Sequence, residues 1–330
     1  MSSHVKTIVI GTALTPGSEG IVRTGVALAR ATGASPWLVH AYVPTAFPAE
    51  IGALDSRWME AEIQDLRQRL DRQARQTGLA ELPGFGPDHE YLAMGAPHLE
   101  IVEVARRVHA DLIVMGASEA GAIHRAFLGS TADRVVRKAP CPVLVVRSET
   151  AFPPSQVLVP VDLSSPAASA LRWGLGFLAD VGGEAPAEAT ALFVLNPLEV
   201  SGSLQFTAGQ IARFASEEVH RFVAENVPDG KVLCRVLTGY PREEILYAAT
   251  EQQADLVILG THGRGGLVRM MIGSVAIQVL ERAFCNVLVV PLGTESTDER
   301  LEEQGADAAW KLAAEQAPPA AAPSEMRIAP

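Results

Sequence analysis

The sequence contains few cysteines, and their placement excludes two common ways of stabilising a fold. Only three of the 330 residues are cysteine, and they lie far apart in the chain, at Cys141, Cys234 and Cys285. An odd and dispersed set of this kind indicates neither a disulfide framework nor a zinc-binding pattern. Cys141 and Cys285 each precede an apolar segment, so we expect both to be small buried hydrophobic residues.

Long hydrophobic runs and an excess of positive charge are lacking as well. No apolar stretch approaches the length of a membrane span, and residues 1–11 do not have the pattern of a signal peptide. The formal net charge is −11, so the basic face of a nucleic-acid or anionic-membrane binder is not expected. We therefore expect a cytoplasmic protein whose partners include neither nucleic acid nor membrane.

Several catalytic motifs are missing. The chain has no G-x-x-x-x-G-K-[ST], H-E-x-x-H, C-x-x-C or G-x-S-x-G, which argues against P-loop, zinc-hydrolase, thiol-redox and serine-esterase chemistry. Gly174, Gly176 and Ala179 resemble a dinucleotide fingerprint, but they lie inside a helical pattern, so we assign them to helix packing. His262 is the one histidine placed like a ligand, and we interpret it as a solvent-facing loop residue.

What the chain does contain is a long internal repeat, since three segments recur at one offset of 144 residues. They are residues 95–105 and 239–249, residues 110–118 and 254–262, and residues 139–146 and 283–290. TIVIGTALT at residues 7–15 matches QVLVPVDLS at 156–164 with a slightly larger offset. A period of this length predicts two duplicated domains rather than a solenoid.

We place these domains at residues 1–148, the first half, and residues 156–293, the second half, with a linker at residues 149–155. A length of 330 residues fits two domains. Residues 294–330 are acidic and then rich in proline and alanine, so we predict that they are disordered.

Each half alternates short β-branched runs with helical patterns, which predicts an α/β fold. In the second half we predict strands at residues 157–161, 191–195, 232–236, 256–259 and 287–290. Helices are predicted there at residues 168–178, 211–227, 242–250 and 274–284, and Ser164 is expected to cap the first of them. The continuous apolar strands predict a five-stranded, mostly parallel sheet flanked by helices in each half.

The glycine-rich stretch GTHGRGGLVRMMIGS at residues 260–274 follows a predicted strand directly. Ligands of open α/β sheets lie beyond the carboxyl ends of the strands. Glycines let backbone N–H groups approach a phosphate closely, and the helix predicted to begin at Ser274 adds its N-terminal amides. Arg264 and Arg269 add positive charge to the same stretch.

The end of the first strand of this half faces the same crevice. Pro160, Val161 and Asp162 stand there, and a carboxylate at that place suits a ribose hydroxyl pair. Taken alone, Asp162 is most often a capping carboxylate and a glycine-rich stretch is most often a surface loop. In combination, at strand ends that the fold brings together, they favour a nucleotide site.

These residues resemble the universal stress proteins, whose nucleotide-binding members carry G-x2-G-x9-G-[ST]. This sequence has the pattern at Gly260, Gly263, Gly273 and Ser274. The resemblance covers residues 5–146 and 156–291. It implies a tandem member built from two Rossmann-like, adenine nucleotide α-hydrolase-like domains.

The resemblance also implies residue roles. Adenine would contact Val161 and Val194, with Asp162 on the ribose and the phosphates on the glycines, Ser274 and the N–H of Val275. Ala276 replaces a hydroxyl residue of some members. The full candidate set is Pro160, Val161, Asp162, Val194, Leu259, Gly260, Gly263, Arg264, Gly273, Ser274, Val275 and Ala276.

The first half departs from this pattern at two positions. It keeps Gly116, Gly129 and Ser130 but has Glu119 in place of the second glycine, and Ala13 in place of the aspartate. A carboxylate ~4 Å from a phosphate charge would oppose binding by about 4 kcal/mol at an effective dielectric constant of about 20. We predict a degenerate first site and an intact second site; the alternative is that Glu119 turns to solvent and has little effect.

The resemblance implies a stress-response protein that binds ATP, with or without Mg²⁺, in its second half. It also implies that the halves pair through their last strands, near residues 143–146 and 287–290, and that two chains can form a homodimer. The glycine-rich stretch has no clear general base and no metal-binding pair of carboxylates, so we expect slow ATP hydrolysis at most. An ATP-cleaving or AMP-transferring enzyme and a nucleotide-free interaction module remain alternatives, and ATP is not distinguished from AMP.

Overall fold

The computed structural model describes residues 5–43, 56–118, 128–147, 152–182, 187–197, 207–228, 230–261 and 272–292. All of these residues belong to one compact unit, Met1–Thr294. The loop residues Glu119, His262, Gly263, Arg264 and Arg269 lie outside the described residues, as do residues 294–330, so the predictions made for them stay predictions.

In the first half the structure alternates strands and helices. The elements are β1 (Thr7–Gly11), α1 (Glu19–Thr32), β2 (Ser35–Tyr42), α2 (Ser56–Gln76), β3 (Glu90–Met94), α3 (Pro97–Arg107), β4 (Leu112–Gly116), α4 (Ser130–Lys138) and β5 (Val143–Val146). Short 3-10 turns occur at Pro16–Ser18 and Pro87–His89.

The second half repeats this order. Its elements are β6 (Gln156–Val161), α5 (Ser165–Val181), β7 (Glu188–Leu195), α6 (Ala208–Asn226), β8 (Val232–Thr238), α7 (Pro241–Glu251), β9 (Leu256–Gly260), α8 (Ser274–Arg282) and β10 (Asn286–Val290). Every strand and helix predicted for this half is confirmed, with ends that agree within three residues. Ser164 caps α5 as predicted, because its side chain accepts from the N–H of Ala167.

The strands form one sheet in the order β3-β2-β1-β4-β5-β10-β9-β6-β7-β8. Neighbouring strands within each half are parallel. The two halves meet where β5 and β10 form an antiparallel ladder, with Leu144 opposite Leu288. The predicted mostly parallel sheet is therefore observed.

Helices cover both faces of this sheet, and the strands supply side chains to each face in turn. Ile8 and Ile10 of β1 belong to the core that includes α1, α2, α5 and α6, whereas Val9 belongs to the core on the side of α3, α4, α7 and α8. Burial on both faces is what the continuous apolar strands predicted. Cys141 and Cys285 are buried in the second of these cores, and burial raises the pKa of Cys141 to about 12 and that of Cys285 to about 11.

Unusual backbone conformations recur at equivalent places in the two halves. Leu14 and Leu163 have φ values of 54° and 62°, and His109 and Gln253 have φ values of 50° and 51°. A positive φ is uncommon for residues other than glycine. Its recurrence at matched positions shows that the repeat extends to local backbone geometry and fixes the alignment of the loops after β1 and β6.

Gly174 illustrates how helices approach the sheet. A Cβ added to this residue of α5 would lie 2.8 Å from Cδ1 of Ile258 in β9. The space between helix and sheet therefore admits only a hydrogen at this position. The assignment of Gly174 to helix packing rather than to a dinucleotide fingerprint is confirmed.

Candidate functional site

The strand order places a crevice at the carboxyl ends of the strands in each half. In the first half the chain moves outward from β1 through β2 to β3, and then from β4 to β5 in the opposite direction. The second half does the same around the β6–β9 pair. The loops that follow these strands therefore diverge and leave an opening between them. Open α/β sheets bind their ligands at this kind of switch point.

In the second half, the glycine at the end of β9 lies very close to the start of α5. A Cβ added to Gly260 would lie 3.0 Å from the main-chain oxygen of Pro166, so this position fits glycine. Pro166 follows the turn that contains Asp162. The start of α5, which follows the loop after β6, is therefore packed closely against the carboxyl end of β9.

The ends of the glycine-rich loop are held together by a backbone hydrogen bond. The N–H of Gly273 donates to the oxygen of Thr261 at 2.7 Å, and α8 begins one residue later at Ser274. Gly273 occupies the N-cap position and brings no side chain to cap the helix. The first-turn amides of Ser274, Val275 and Ala276 lie at the crevice. They can donate to a ligand there, because first-turn amides lack an acceptor within the helix.

Asp162 has a structural contact in this crevice. Its Oδ1 accepts from the N–H of Ser164 at 3.1 Å and from the Ser164 hydroxyl. These bonds stabilise the turn in which Leu163 has a positive φ. Asp162 therefore stabilises the turn before α5 rather than capping the helix, since Ser164 is the N-cap, and any contact with a ribose would be added to this role.

The apolar candidates lie at the other side of the crevice. Val161 is buried, and Val194 is partly buried against the sheet core. Pro160 is partly exposed, while the side chain of Leu259 points into the core, so only its main chain is available to a ligand. Ala276 is buried in the first turn of α8.

The first half has a cavity of about 840 Å³ at the equivalent place, which we call the first-half cavity. It lies between the loop after β1, the ends of β2 and β4, and the start of α4. The ends of its loop are joined as in the second half, because the N–H of Gly129 donates to the oxygen of Ala117 at 2.6 Å. This backbone hydrogen bond is therefore present in both halves.

Four buried polar side chains, the polar cluster, lie beside this cavity: Thr12, Ser18, His40 and Gln73. Thr12 Oγ1 donates to Gln73 Oε1 at 2.7 Å, and Gln73 Nε2 donates to Ser18 Oγ at 3.0 Å. His40 Nδ1 lies 2.9 Å from the oxygen of Thr12 and must donate to it, since a carbonyl oxygen only accepts. The cluster also fixes the turn after β1, because the N–H of Leu14 donates to Thr12 Oγ1.

The second half has apolar residues at three matched positions. Val161 and Ala167 correspond to Thr12 and Ser18 in the aligned loops, and Phe193 lies beside Val161 in the sheet as His40 lies beside Thr12. All three apolar residues are buried. We missed this exchange in the sequence, although the alignment of Thr12 with Val161 was a signal for it.

Arg147 is a further residue of the first-half cavity that the sequence analysis did not identify. It follows β5 and lines the cavity. Its N–H donates to Asn286 Oδ1 at 2.8 Å, and its guanidinium donates to the main-chain oxygen of Leu280. The aligned position of the second half holds Pro291, which would have revealed the difference.

Two further properties concern metals and membranes. Within the described ranges, no group of three or more histidine, cysteine or acidic side chains is placed to hold a metal ion. None of the helices in the described part of the chain is both long enough and apolar enough to cross a membrane.

Comparison with known proteins agrees with this architecture. The sequence model of the universal stress protein family matches residues 4–147 and again residues 155–291. The chain belongs to the universal stress protein family. Its two matches identify it as a tandem member and confirm the resemblance inferred from the glycine pattern.

Relatives of this universal stress protein span both of its halves. One from Mycobacterium tuberculosis is 34% identical over 205 residues, which cover 60% of this chain and 67% of the relative. One from Mycolicibacterium smegmatis is 26% identical over 289 residues, which cover 86% of this chain and 96% of the relative. A crystal structure of a universal stress protein from Archaeoglobus fulgidus covers 89% of this chain and 100% of its own, with a TM-score of 0.63 and 18% identity. That structure supports the fold.

Proposed function

We propose that this universal stress protein binds an adenine nucleotide, ATP with or without Mg²⁺, in the crevice of its second half. Binding would control its action as a stress-response or regulatory protein. The observation that carries the proposal is the close approach of Gly260 to the start of α5, beside the open first turn of α8. That arrangement presents backbone N–H groups and a positive helix end to an anion.

In this proposal each part of the nucleotide has a place. Adenine contacts Val161, Val194 and the main chain of Pro160 and Leu259, and Asp162 accepts from the ribose while it retains Ser164. The phosphates contact Gly260, Gly273, Ser274 and the amides of Val275 and Ala276. Gly263 and Arg264 complete the phosphate site.

We propose binding rather than rapid turnover. Asp162 already holds the turn at the start of α5, so it is poorly placed to act as a general base. The first half is proposed to be degenerate for ATP because Glu119 and Ala13 replace the second glycine and the ribose acceptor. A turnover assay with Mg²⁺ and radiolabelled ATP separates this proposal from an ATP-cleaving or AMP-transferring enzyme.

The proposal includes the organisation of the molecule. The ladder between β5 and β10 supports two halves that act as one intramolecular pair, with domains at residues 1–148 and 156–293. Pairing of two chains to a homodimer is checked by sedimentation. The three free cysteines favour the reducing environment of the cytoplasm.

The decisive variant is Gly263→Glu in the full chain, because it copies the first-half loop into the second half. Titration with ATP should give one site in the unchanged protein and binding weaker by about tenfold or more in the variant, since the new carboxylate repels phosphate. Gly209→Glu is the matched control: this residue is the second of α6, and a Cβ there meets nothing within 4 Å. Equal ATP affinity in Gly263→Glu and in the control would contradict the phosphate assignment.

A further inference from the structure

Helix α8 begins at the crevice of the second half and ends near the crevice of the first. Because β5 and β10 are antiparallel, the carboxyl ends of the strands lie at opposite ends of the sheet in the two halves. α8 begins at Ser274, beside the second-half crevice, and ends at Arg282, shortly before β10. Its nine residues span about 13 Å. One helix therefore connects the surroundings of the two crevices.

Arg147 of the first half binds the last turn of α8. Its guanidinium donates to the main-chain oxygen of Leu280, and its N–H donates to Oδ1 of Asn286 at 2.8 Å. Leu280 is one of the last four helical residues, whose carbonyl groups have no donor within the helix. A positive charge at this end also interacts favourably with the helix dipole. Arg147 therefore caps α8 from the other half of the chain.

This contact lies in largely buried surroundings. Leu280 and Asn286 are each 1% exposed, and burial lowers the pKa of Arg147. The guanidinium still carries its charge, since an arginine in a protein is not deprotonated. Hydrogen bonds from a charged donor are stronger than those between neutral groups, and a low local dielectric constant strengthens them further. The contact is therefore suited to fixing the position of the last turn.

The same contact cannot form in the opposite direction. At the repeat offset of 144 residues, Arg147 corresponds to Pro291 and Asn286 corresponds to Pro142. A proline side chain has no donor for a helix carbonyl and no acceptor for an N–H group. The first half thus holds a helix of the second half and is not held by it in this way.

The last turns of α4 and α8 take their arginine from different places. In the first half, Arg106 of α3 donates to the main-chain oxygen of Lys138, so α4 is capped from within its own half. The counterpart of Arg106 is Thr250, whose hydroxyl donates to Leu246 of its own helix. The helix that depends on the other half is therefore α8, which begins at the complete glycine pattern.

The first turn of α8 is the part of the proposed nucleotide site that consists of main-chain donors. Gly273 and the amides of Val275 and Ala276 have no side-chain rotation with which to follow a displaced phosphate. The adenosine part is proposed to be held separately, by Val161 and Val194 at the ends of β6 and β7. A shift of α8 would move all of these donors together relative to the adenosine, and hydrogen bonds weaken steeply in poor geometry.

We propose that Arg147 is a positioning residue for the phosphate site of the second half. It acts through Leu280 and Asn286, which fix the end of α8 distant from the phosphates. The first half, itself proposed to be degenerate for ATP, thereby completes the site of the other half and sets how strongly it binds phosphates. The inference rests on the proposed binding of ATP in the second half.

Titration calorimetry of the full chain with ATP and with adenosine tests this role, because only ATP has phosphates for the donors of α8. Arg147→Gln should weaken ATP binding by about fivefold or more and leave adenosine binding unchanged within about twofold. Arg147→Lys keeps the charge and a donor, so it should recover part of the ATP affinity. Arg106→Gln is the matched control: it removes the arginine that caps α4 and should change neither affinity.

Salt separates positioning from attraction through space. Arg147 lies about one helix length, roughly 13 Å, from the phosphate donors, and salt at about 1 M screens charges beyond about 3 Å. The affinity ratio between the unchanged protein and Arg147→Gln should therefore persist in such salt. Thermal unfolding checks that each variant is folded; should Arg147→Gln unfold, the smaller, ATP-specific loss expected of Arg147→Lys decides.

The outcomes distinguish this inference from the nucleotide proposal. Equal ATP affinity in the unchanged protein and in Arg147→Gln would overturn the inference and leave the nucleotide proposal intact. Equal weakening of ATP and adenosine, or an ATP loss that disappears in high salt, would overturn it as well. An unchanged protein that binds neither ligand would overturn the nucleotide proposal and this inference with it.

Discussion

Single residues separate the two crevices, although their backbones match. Leu14 and Leu163 adopt the same positive φ in the same turn, yet that turn is fixed by Thr12 in the first half and by Asp162 in the second. A duplicated chain has thus kept one backbone and changed the groups that stabilise it. The change is concerted, because an apolar residue in place of any one member of the polar cluster would leave the buried polar groups of its partners unsatisfied.

Thr12→Val tests this concerted change, since valine is the residue of the second half. The variant removes the donor to Gln73 Oε1 and the acceptor of the Leu14 N–H, both in buried surroundings. We expect the free energy of unfolding to fall by about 1–3 kcal/mol, the cost of buried unsatisfied polar groups. Chemical denaturation measures it.

The matched control is Thr250→Val on α7, where the side chain is exposed. It should change the free energy of unfolding by about 0.5 kcal/mol or less. Equal effects of the two valine substitutions would show that the polar cluster does not contribute to stability.

At the scale of elements, each half begins with the same connection between strands. Asp111 Oδ2, just before β4, accepts from the N–H groups of Lys6 and Thr7 at the start of β1. Asp255 Oδ2, just before β9, accepts in the same way from Ser155 and Gln156 at the start of β6. These carboxylates hold together the amino ends of the two strands whose carboxyl ends form the crevice.

Asp255→Asn should lower the free energy of unfolding near neutral pH by about 1 kcal/mol. The substitution removes the charge of the carboxylate that accepts from the N–H groups of Ser155 and Gln156 in a partly exposed site. Burial by itself would raise the pKa of Asp255, but hydrogen bonds from Ser155 and Gln156 bring it below its usual range. A lowered pKa in the folded state stabilises the protein above the unfolded value of about 3.9, and this stability is lost as the pH falls through the folded pKa.

Denaturation over a range of pH checks this behaviour. The difference between the unchanged protein and Asp255→Asn should shrink as the solution is made more acidic than pH about 4. Asp88→Asn, at an exposed position, is the control and should have little effect at any pH. A difference that persists undiminished in acid would contradict the role given to the carboxylate.

The elements themselves were predictable because local patterns determine them. Apolar runs rich in valine and leucine predicted β6 and β9, and Ser164-Ser165-Pro166 predicted the start of α5, since capping and apolar periodicity act over a few residues. Gly260 and Ser274 could be placed at a strand end and a helix start for the same reason. The close approach of Gly260 to Pro166 of α5 follows from the strand order.

The polar cluster could not be found in this way. Gln73 is one polar residue in the long charged helix α2. Only the packing of α2 against the rest of the first half shows that Gln73 is buried next to Thr12. Arg147 likewise follows an apolar strand without any motif, and its contact with Leu280 depends on the pairing of β5 with β10. Contacts between distant segments decide both roles, and a single sequence does not display them.

At the scale of the whole molecule, the halves share one sheet but differ in the chemistry of their crevices. The antiparallel ladder between β5 and β10 places Arg147 of the first half against α8 of the second. α8 is also the helix whose first turn is proposed to bind phosphate. Arg147, which lines the first-half cavity, therefore contacts the helix that begins at the proposed nucleotide site.

The most direct test of this account is a crystal structure of the full chain grown with excess ATP. We predict one nucleotide per chain, in the second half, with its phosphates at Gly260, Gly273 and Ser274. The first-half cavity should contain no adenine. Adenine bound beside Thr12 and His40, or a second half without nucleotide at saturating ATP, would contradict the account.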